Sequence, residues 1–343
     1  MPTLSIIMPV FNHSCELKIM IESILDNSYQ DWELLAIDDG SEQETLAILN
    51  DFAHKDSRIQ VIQRTRLPKG AQTCRNIGLE MAKGVFIVFF DSDDYITPYC
   101  LKQRVEALTN HPELDFMVFP SGSFLKQQFS DDGPFLFGYP LYHDNLKAFL
   151  HRTLPFTVWT NIYRTASLRE KELVWDTHIK SFQDSDFNIQ ALIHGLKYSF
   201  THALPDYGYR TDGNNDSISK KIASEEHRKS HLYFLDKQYQ EIRRIYGKKY
   251  DQSLYRCALF IYTFMQQYGL DAPYARQIAA VVKKYDPLRG SILNFKINMS
   301  IILSTFLPRK IARQLPMPLF LCRKWWMEHE IARRISKIRL NNK

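Results

Sequence analysis

The chain has 343 residues, 45% of them hydrophobic, enough to bury one large core and a smaller second one. Its 44 Lys and Arg against 38 Asp and Glu give +6, yet residues 308–343 alone hold ten basic residues against Glu328 and Glu330. That tail is +8 and everything before it −2, which excludes the broad basic face of a nucleic-acid-binding body.

Met1-Pro2-Thr3 runs straight into an apolar pattern, without the charged start and long apolar region of a signal peptide, so the cytoplasmic side is the expectation. Leu4 to Met8 reads as a strand, and Leu17, Met20, Ile21, Ile24 and Leu25 mark one helical face. Strands at Trp32 to Ile37, Ile59 to Ile62, Val85 to Phe90 and Phe116 to Phe119 follow. Between them come helices at Thr45 to Phe52, Gly70 to Ala82 and Pro98 to Leu108. Repeated strand–helix units predict an α/β fold with a doubly wound, mostly parallel sheet. The first strand is followed by Pro9-Val10-Phe11-Asn12-His13-Ser14 and not by GxGxxG, which disfavours a dinucleotide-binding Rossmann domain.

Residues 121–150, rich in Gly, Pro, Phe and Tyr, read as irregular loops, with Phe135, Phe137, Tyr139 and Tyr142 mostly packing. A helix is expected from Asp184 to His194, and beyond Ser217 the chain is helical, with apolar stripes over Tyr233 to Tyr246 and Leu254 to Tyr268. Asn294, Lys296 and Asn298 interrupt the apolar run 291–307, so it is not expected to span a membrane. Five widely spaced cysteines without a CxxC pair predict reduced thiols.

The richest chemistry follows the fourth strand. Six apolar residues from Val85 lead into Asp91-Ser92-Asp93-Asp94, which puts carboxylates at the carboxyl end of a buried strand, where open α/β sheets bind ligands. Were the backbone to stay extended, Asp91 and Asp93 would point the same way. Two such oxygen donors suit Mg²⁺ or Mn²⁺ bound together with substrate phosphates; an acidic helix start would explain only one of the carboxylates. Asp38 and Asp39 end the second strand on the same edge. A fixed carboxylate there can read the N3–H of uracil or N1–H of guanine, while Asp-Gly-Ser is also ordinary turn chemistry.

The segments Ser5-Ile6-Ile7-Met8-Pro9-Val10-Phe11-Asn12, Ile37-Asp38-Asp39-Gly40-Ser41, Cys74-Arg75-Asn76-Ile77-Gly78-Leu79 and Gly84 to Asp94 together resemble a family 2 glycosyltransferase. That family has the GT-A nucleotide-sugar fold and builds bacterial capsule, O-antigen or other surface polysaccharide. Val158 to Arg164 and Gln183-Asp184 extend the likeness. It implies a GT-A domain over 1–217, with a nucleotide-sugar-binding half at 1–120 and an acceptor half at 121–217. The remainder, 218–343, would be a helical region with a basic tail.

By the same resemblance Pro9, Phe11, Asp38, Asp39, Arg75, Asp91 and Ser92 bind the nucleotide sugar, a UDP-sugar by preference. Asp39 reads the base, Asp93 with Asp91 binds Mn²⁺ or Mg²⁺, Trp159 lines the acceptor side, and Asp184 is the catalytic base. The family has Glu where Gln183 stands, and Asp186 is a rival base. Arg210, ahead of the polar loop Thr211 to Ser219, is either a clamp on the diphosphate or a surface arginine. In the tail, Leu319, Phe320, Leu321, Trp325 and Trp326 alternate with Arg and Lys, a pattern that suits peripheral contact with anionic membrane or a packed helical cap.

Three function classes stand. The first is an inverting, metal-dependent glycosyltransferase acting on a saccharide or lipid-linked acceptor, with no nucleic-acid partner. The second is a phosphoryl- or nucleotidyl-transfer enzyme using the same carboxylates. The third is a non-catalytic nucleotide-sugar-binding module. In haloacid-dehalogenase-like phosphatases the Asp-x-Asp pair follows the first core strand; here it follows the fourth.

Overall fold

The computed structural model describes residues 1–131, 136–210, 224–266 and 272–306. Compact contacts divide the chain into two units. The first takes Met1–Pro140, Leu154–Thr177 and Gln183–Asn214; the second takes Leu141–Thr153, His178–Phe182 and Asn215–Lys343. A linear cut at residue 217 would assign the segments 141–153 and 178–182 to the first.

The first unit is built on β1 (Leu4–Val10), β2 (Trp32–Asp38), β3 (Ile59–Gln63) and β4 (Phe86–Phe89), all parallel in the order β4-β1-β2-β3. β1, β2 and β4 are buried almost throughout, as in a sheet covered on both sides, whereas the edge strand β3 is largely half-buried and carries Gln60 and Gln63. Helix α1 (Ser14–Leu25) buries Leu17, Met20, Ile21 and Ile24, while α2 (Gln43–Lys55) and α3 (Ala71–Met81) complete the crossovers. The register sets Val10 beside Asp38 and Ile7 beside Phe89, so the carboxyl ends of three strands share one edge.

Close approach at the other edge depends on Gly84. A Cβ there would lie 2.5 Å from the Ser5 backbone nitrogen. The Gly84 amide instead donates to Ser5 Oγ at 2.8 Å, and Ser5 Oγ donates to the buried Glu33 carboxylate at 2.6 Å.

Past β4 the chain forms β5 (Tyr95–Ile96), α4 (Cys100–Thr109), β6 (Phe116–Val118), β7 (Ser121–Leu125) and β8 (Gln128–Ser130). The 121–150 region is therefore not wholly irregular. It contains the β7–β8 hairpin, whose strands alternate poorly because β7 is buried almost throughout, and the short helix α5 (Asn145–Leu150). Strand β9 (Asn161–Arg164) enters the main sheet antiparallel between β4 and β6, and β10 (Tyr198–Phe200) closes it in the order β10-β6-β9-β4-β1-β2-β3. Helices α6 (Thr165–Glu170) and α7 (Gln183–Ile193) lie between β9 and β10 in sequence. A second sheet, β5-β11-β7-β8, holds β11 (Tyr207–Arg210).

One ion pair anchors β11. Arg104 on α4 grips Asp206 with Nε to Oδ2 at 2.8 Å and Nη2 to Oδ1 at 2.6 Å, and both residues are fully buried. Its remaining donor, Nη1, reaches the Trp159 carbonyl at 2.8 Å. A buried pair with its hydrogen bonds made is a positional lock more than a source of stability.

The second unit is helical: α5, α8 (Glu225–Tyr246), α9 (Asp251–Gln266), α10 (Ala272–Tyr285) and α11 (Pro287–Phe306). Ser224 caps α8 by accepting from the His227 amide. Arg243 Nε donates to Asp251 at 2.7 Å and its Nη1 to the Tyr285 carbonyl at 2.6 Å, tying α8, α9 and α10 together. His231 is buried on α8, and burial pulls its pKa down to about 3, so it packs as a neutral ring. Among the described residues no helix is long and apolar enough to cross a membrane. The expected features of the tail, Trp325 and Trp326 included, lie outside the described residues.

Candidate active site

At the end of β1 the chain turns through Asn12 and His13, both left-handed with φ near 60°. Asn12 Oδ1 accepts from the Glu42 amide at 2.9 Å, and the Asn12 amide donates to Ser41 Oγ at 3.0 Å, which locks this turn to the one after β2. Pro9 is half-buried on that edge, and Phe11 stands exposed with Lys69 Nζ 3.6 Å from its ring centroid. Asn12 ends the first family-like segment, but the amino-acid order assigns neither it nor His13 this locking role, which depends on the neighbouring turn after β2.

The two acids after β2 take separate jobs. Asp38 accepts from the amides of Gly40 at 3.1 Å and Ser41 at 3.0 Å, so its carboxylate shapes the turn. Asp39 is 6% exposed, accepts from Arg64 Nε at 2.5 Å, and receives the Gly70 amide at 3.3 Å. Burial first, and then the Asp39 charge, push the neighbouring Cys74 thiol up to about 12, leaving it inert. Arg64, at the end of β3, carried no sequence signal because its role depends on the β2–β3 register.

After β4 the backbone does not stay extended. It turns at Ser92 and Asp93, so the acids are gathered by a turn and not by strand alternation. Asp91 is about one-third exposed and accepts from Arg75 Nη2 at 2.6 Å. Ser92 is buried. Burial and the Asp91 charge raise the Asp93 pKa above the usual carboxylate value. Asp94 is enclosed: it accepts from Tyr207 Oη at 2.8 Å and from the Arg210 amide at 2.7 Å, and burial raises its pKa strongly. It ties the acidic turn to β11. A carboxylate that burial and a neighbouring negative charge push up, at a strand mouth beside a second carboxylate, belongs to a donor set that a divalent cation would relieve, with substrate phosphates completing the coordination. Among the described residues no group of three or more His, Cys, Asp or Glu is arranged to hold a metal by itself.

Arg75, on α3, is 4% exposed and joins two parts of the site. Besides Asp91 it donates through Nη1 to Gln183 Oε1 at 3.2 Å, and its guanidinium lies 4.3 Å from the centroid of Trp175. Gln183, which cannot ionise, thus still accepts a hydrogen bond in this bridge. Next to it, Asp184 is half-buried in the first turn of α7, whereas Asp186 is 2% exposed. Asn76 fixes the approach to that helix by accepting from the Trp175 amide at 2.8 Å and donating to its carbonyl at 2.9 Å. Tyr209 on β11 lies in the field of Asp94, Asp91, Asp93 and Asp184; burial first, and then these charges, raise its phenol to about 12.

Trp159 does not present a platform. It is 3% exposed and stacks with Tyr207 at 4.6 Å and Tyr209 at 5.6 Å between centroids, with Phe137 edge-on at 5.5 Å. Its motif register placed it near the acceptor side, but the second sheet covers the ring. Arg210 is held by Asp94 through its amide and donates through Nε to the Asp93 carbonyl. That makes it part of the acidic turn and not a loose surface residue. Phe135 and the loop Thr211 to Ser219 lie outside the described residues.

Residues 5–173 match the model described as glycosyl transferase family 2. An uncharacterized glycosyltransferase of Haemophilus influenzae is 45% identical over 112 residues, covering 32% of this chain and 44% of that protein. The chain therefore spans less than half the length of that relative. The crystal structure of S. aureus TarS 1-349 in complex with UDP-GlcNAc superposes with a TM-score of 0.65 at 19% identity, covering 92% of this chain and 90% of the other. The mannosyltransferase PcManGT from Pyrobaculum calidifontis in complex with GDP-Man and Mn²⁺ gives 0.51 at 14% identity, covering 86% and 87%. At these identities the structural likeness is one of fold, and it is the GT-A fold.

Proposed function

Because residues 5–173 of this chain belong to glycosyl transferase family 2, we propose that it is an inverting, divalent-cation-dependent transferase. It would move a sugar from a nucleotide-diphosphate donor, a UDP-sugar by preference, to a saccharide or lipid-linked acceptor in surface polysaccharide synthesis. The observation that carries this reading is the Arg75 bridge, which joins Asp91 on the acidic turn to Gln183 beside Asp184. Donor-side charge and a half-buried carboxylate thereby meet in one place.

In this reading Asp39, steadied by Arg64, accepts the imide N–H of the base. Asp93 with Asp91 would hold Mn²⁺ or Mg²⁺, which, when bound, stabilises charge on the departing diphosphate. Asp184 takes the proton of the acceptor hydroxyl as that oxygen attacks C1. Tyr209, half-buried in the field of these carboxylates, takes the place given to Trp159 as a candidate aromatic on the acceptor side. A UDP-sugar donor is favoured by the TarS likeness and Mn²⁺ by the PcManGT likeness.

The test is nucleotide release from UDP-, GDP- and dTDP-sugars with Mn²⁺ or Mg²⁺, in the wild type and in Asp93→Ala. Loss of a cation ligand should lower metal-dependent turnover roughly a hundredfold or more without changing the melting temperature, since Asp93 lies at a turn outside the apolar core. Undiminished turnover and metal dependence in Asp93→Ala would refute the assignment. Release of nucleoside monophosphate with sugar phosphate would instead favour phosphoryl transfer.

A further inference from the structure

The last described helix presents apolar side chains to solvent in a regular line. On α11, Leu288 is 72% exposed, Ile292 41%, Phe295 65% and Met299 39%, and Ile302 continues the line at 52%. Steps of four and three residues keep them on a single face. The opposite face is already used: Leu293 and Ile297 are fully buried, and a Cβ on Gly290 would meet the Lys283 backbone of α10 at 2.3 Å. A contiguous exposed apolar stripe on a helix so tightly seated marks an interaction surface.

Charge decides between occupants. Spacing of this kind also serves helix pairing, where residues flanking the seam supply opposite charges. Here the flanks are Arg289, Ser291, Lys296 and Asn298, and α11 contains no Asp or Glu. Arg289 is already paired with Asp286 at 2.6 Å. A second copy would offer Lys296 no acidic partner from this helix. Immediately beyond α11 the sequence continues into the +8 segment. We propose that the Leu288, Ile292, Phe295 and Met299 face inserts into the headgroup–acyl boundary of an anionic bilayer, with α11 lying in the membrane plane. Hydrocarbon meets the stripe, and anionic headgroups meet Lys296 and the basic sequence that follows. This anchor is distinct from the transfer chemistry and does not depend on it.

Full-length protein is sedimented with vesicles of phosphatidylcholine alone and of phosphatidylcholine with phosphatidylglycerol, comparing wild type with Ile292→Glu/Phe295→Glu. Wild type should bind the anionic vesicles. The double variant should lose roughly a hundredfold or more in partitioning, two side chains' burial at tenfold or more each, in low and high salt alike. Phe295→Leu, which keeps an apolar side chain, should stay within a few-fold of wild type and guards against misfolding as the cause. Wild type that ignores anionic vesicles, or a double variant that binds as wild type does, overturns the proposal. So does a wild-type dimer that the double variant dissociates with lipid binding unchanged, which would assign the stripe to a second copy. Nucleotide release measured without vesicles should be equal in wild type and double variant, so the anchor and the transferase reading fail separately.

Discussion

At the residue scale the two acids of α7 separate by exposure. Asp184 is half-buried in the first helical turn, and Asp186, two positions on, is enclosed. A proton acceptor must be reachable by the acceptor hydroxyl, which selects Asp184. Asp184→Asn keeps the shape of the side chain and removes its basicity. It should retain donor binding and lose ~10² to 10⁴ in transfer rate, with single-turnover transfer and equilibrium nucleotide binding as the paired measurements. Asp186→Asn should instead lower the melting temperature and leave turnover per folded molecule nearly intact. Exchanged behaviour of the two variants would show that the base is Asp186.

At the element scale, β11 brings Tyr207, Tyr209 and Arg210 to the acidic turn, and its placement depends on Asp206 at its entrance. Asp206→Ala leaves the Arg104 guanidinium buried and uncompensated, which should cost about 3 to 5 kcal/mol by urea unfolding. Replacing both partners, Arg104→Met with Asp206→Leu, should recover most of that loss, because the cost lies in the unpaired charge. A single variant within about 0.5 kcal/mol of wild type would sink the argument, since that is the range of ordinary surface substitutions. Folded Asp206→Ala should also bind donor more weakly, because Tyr207 and Arg210 move with the strand.

At the scale of the whole molecule, the donor-side residues all fall within the first unit and the net positive charge within the tail. Deleting residues 309–343 should therefore leave nucleotide binding intact and weaken attachment to anionic vesicles. Each Lys or Arg near an anionic surface contributes roughly 1 kcal/mol, screened by salt. What remains after deletion should be the salt-insensitive part contributed by the α11 stripe. Vesicle partitioning of the two lengths at low and high ionic strength measures both parts. Equal partitioning at every salt concentration would mean that the tail does not touch lipid.

The amino-acid order by itself determined the parallel strands, the helices between them and the edge where the acids collect, because burial on both faces writes continuous apolar runs into β1, β2 and β4. The motifs it shares with the family also pointed to Asp39, Arg75, Asp91, Asp93 and Asp184 as site positions. Tertiary structure alone decided which acids stay available. Asp38 is taken up by its own turn, Asp94 by Tyr207 and Arg210, and Asp186 by burial. It also brought in Arg64, covered Trp159, and joined Arg75 to Gln183 across 108 positions. Those outcomes rest on strand register and on contacts between distant segments, which local periodicity does not encode.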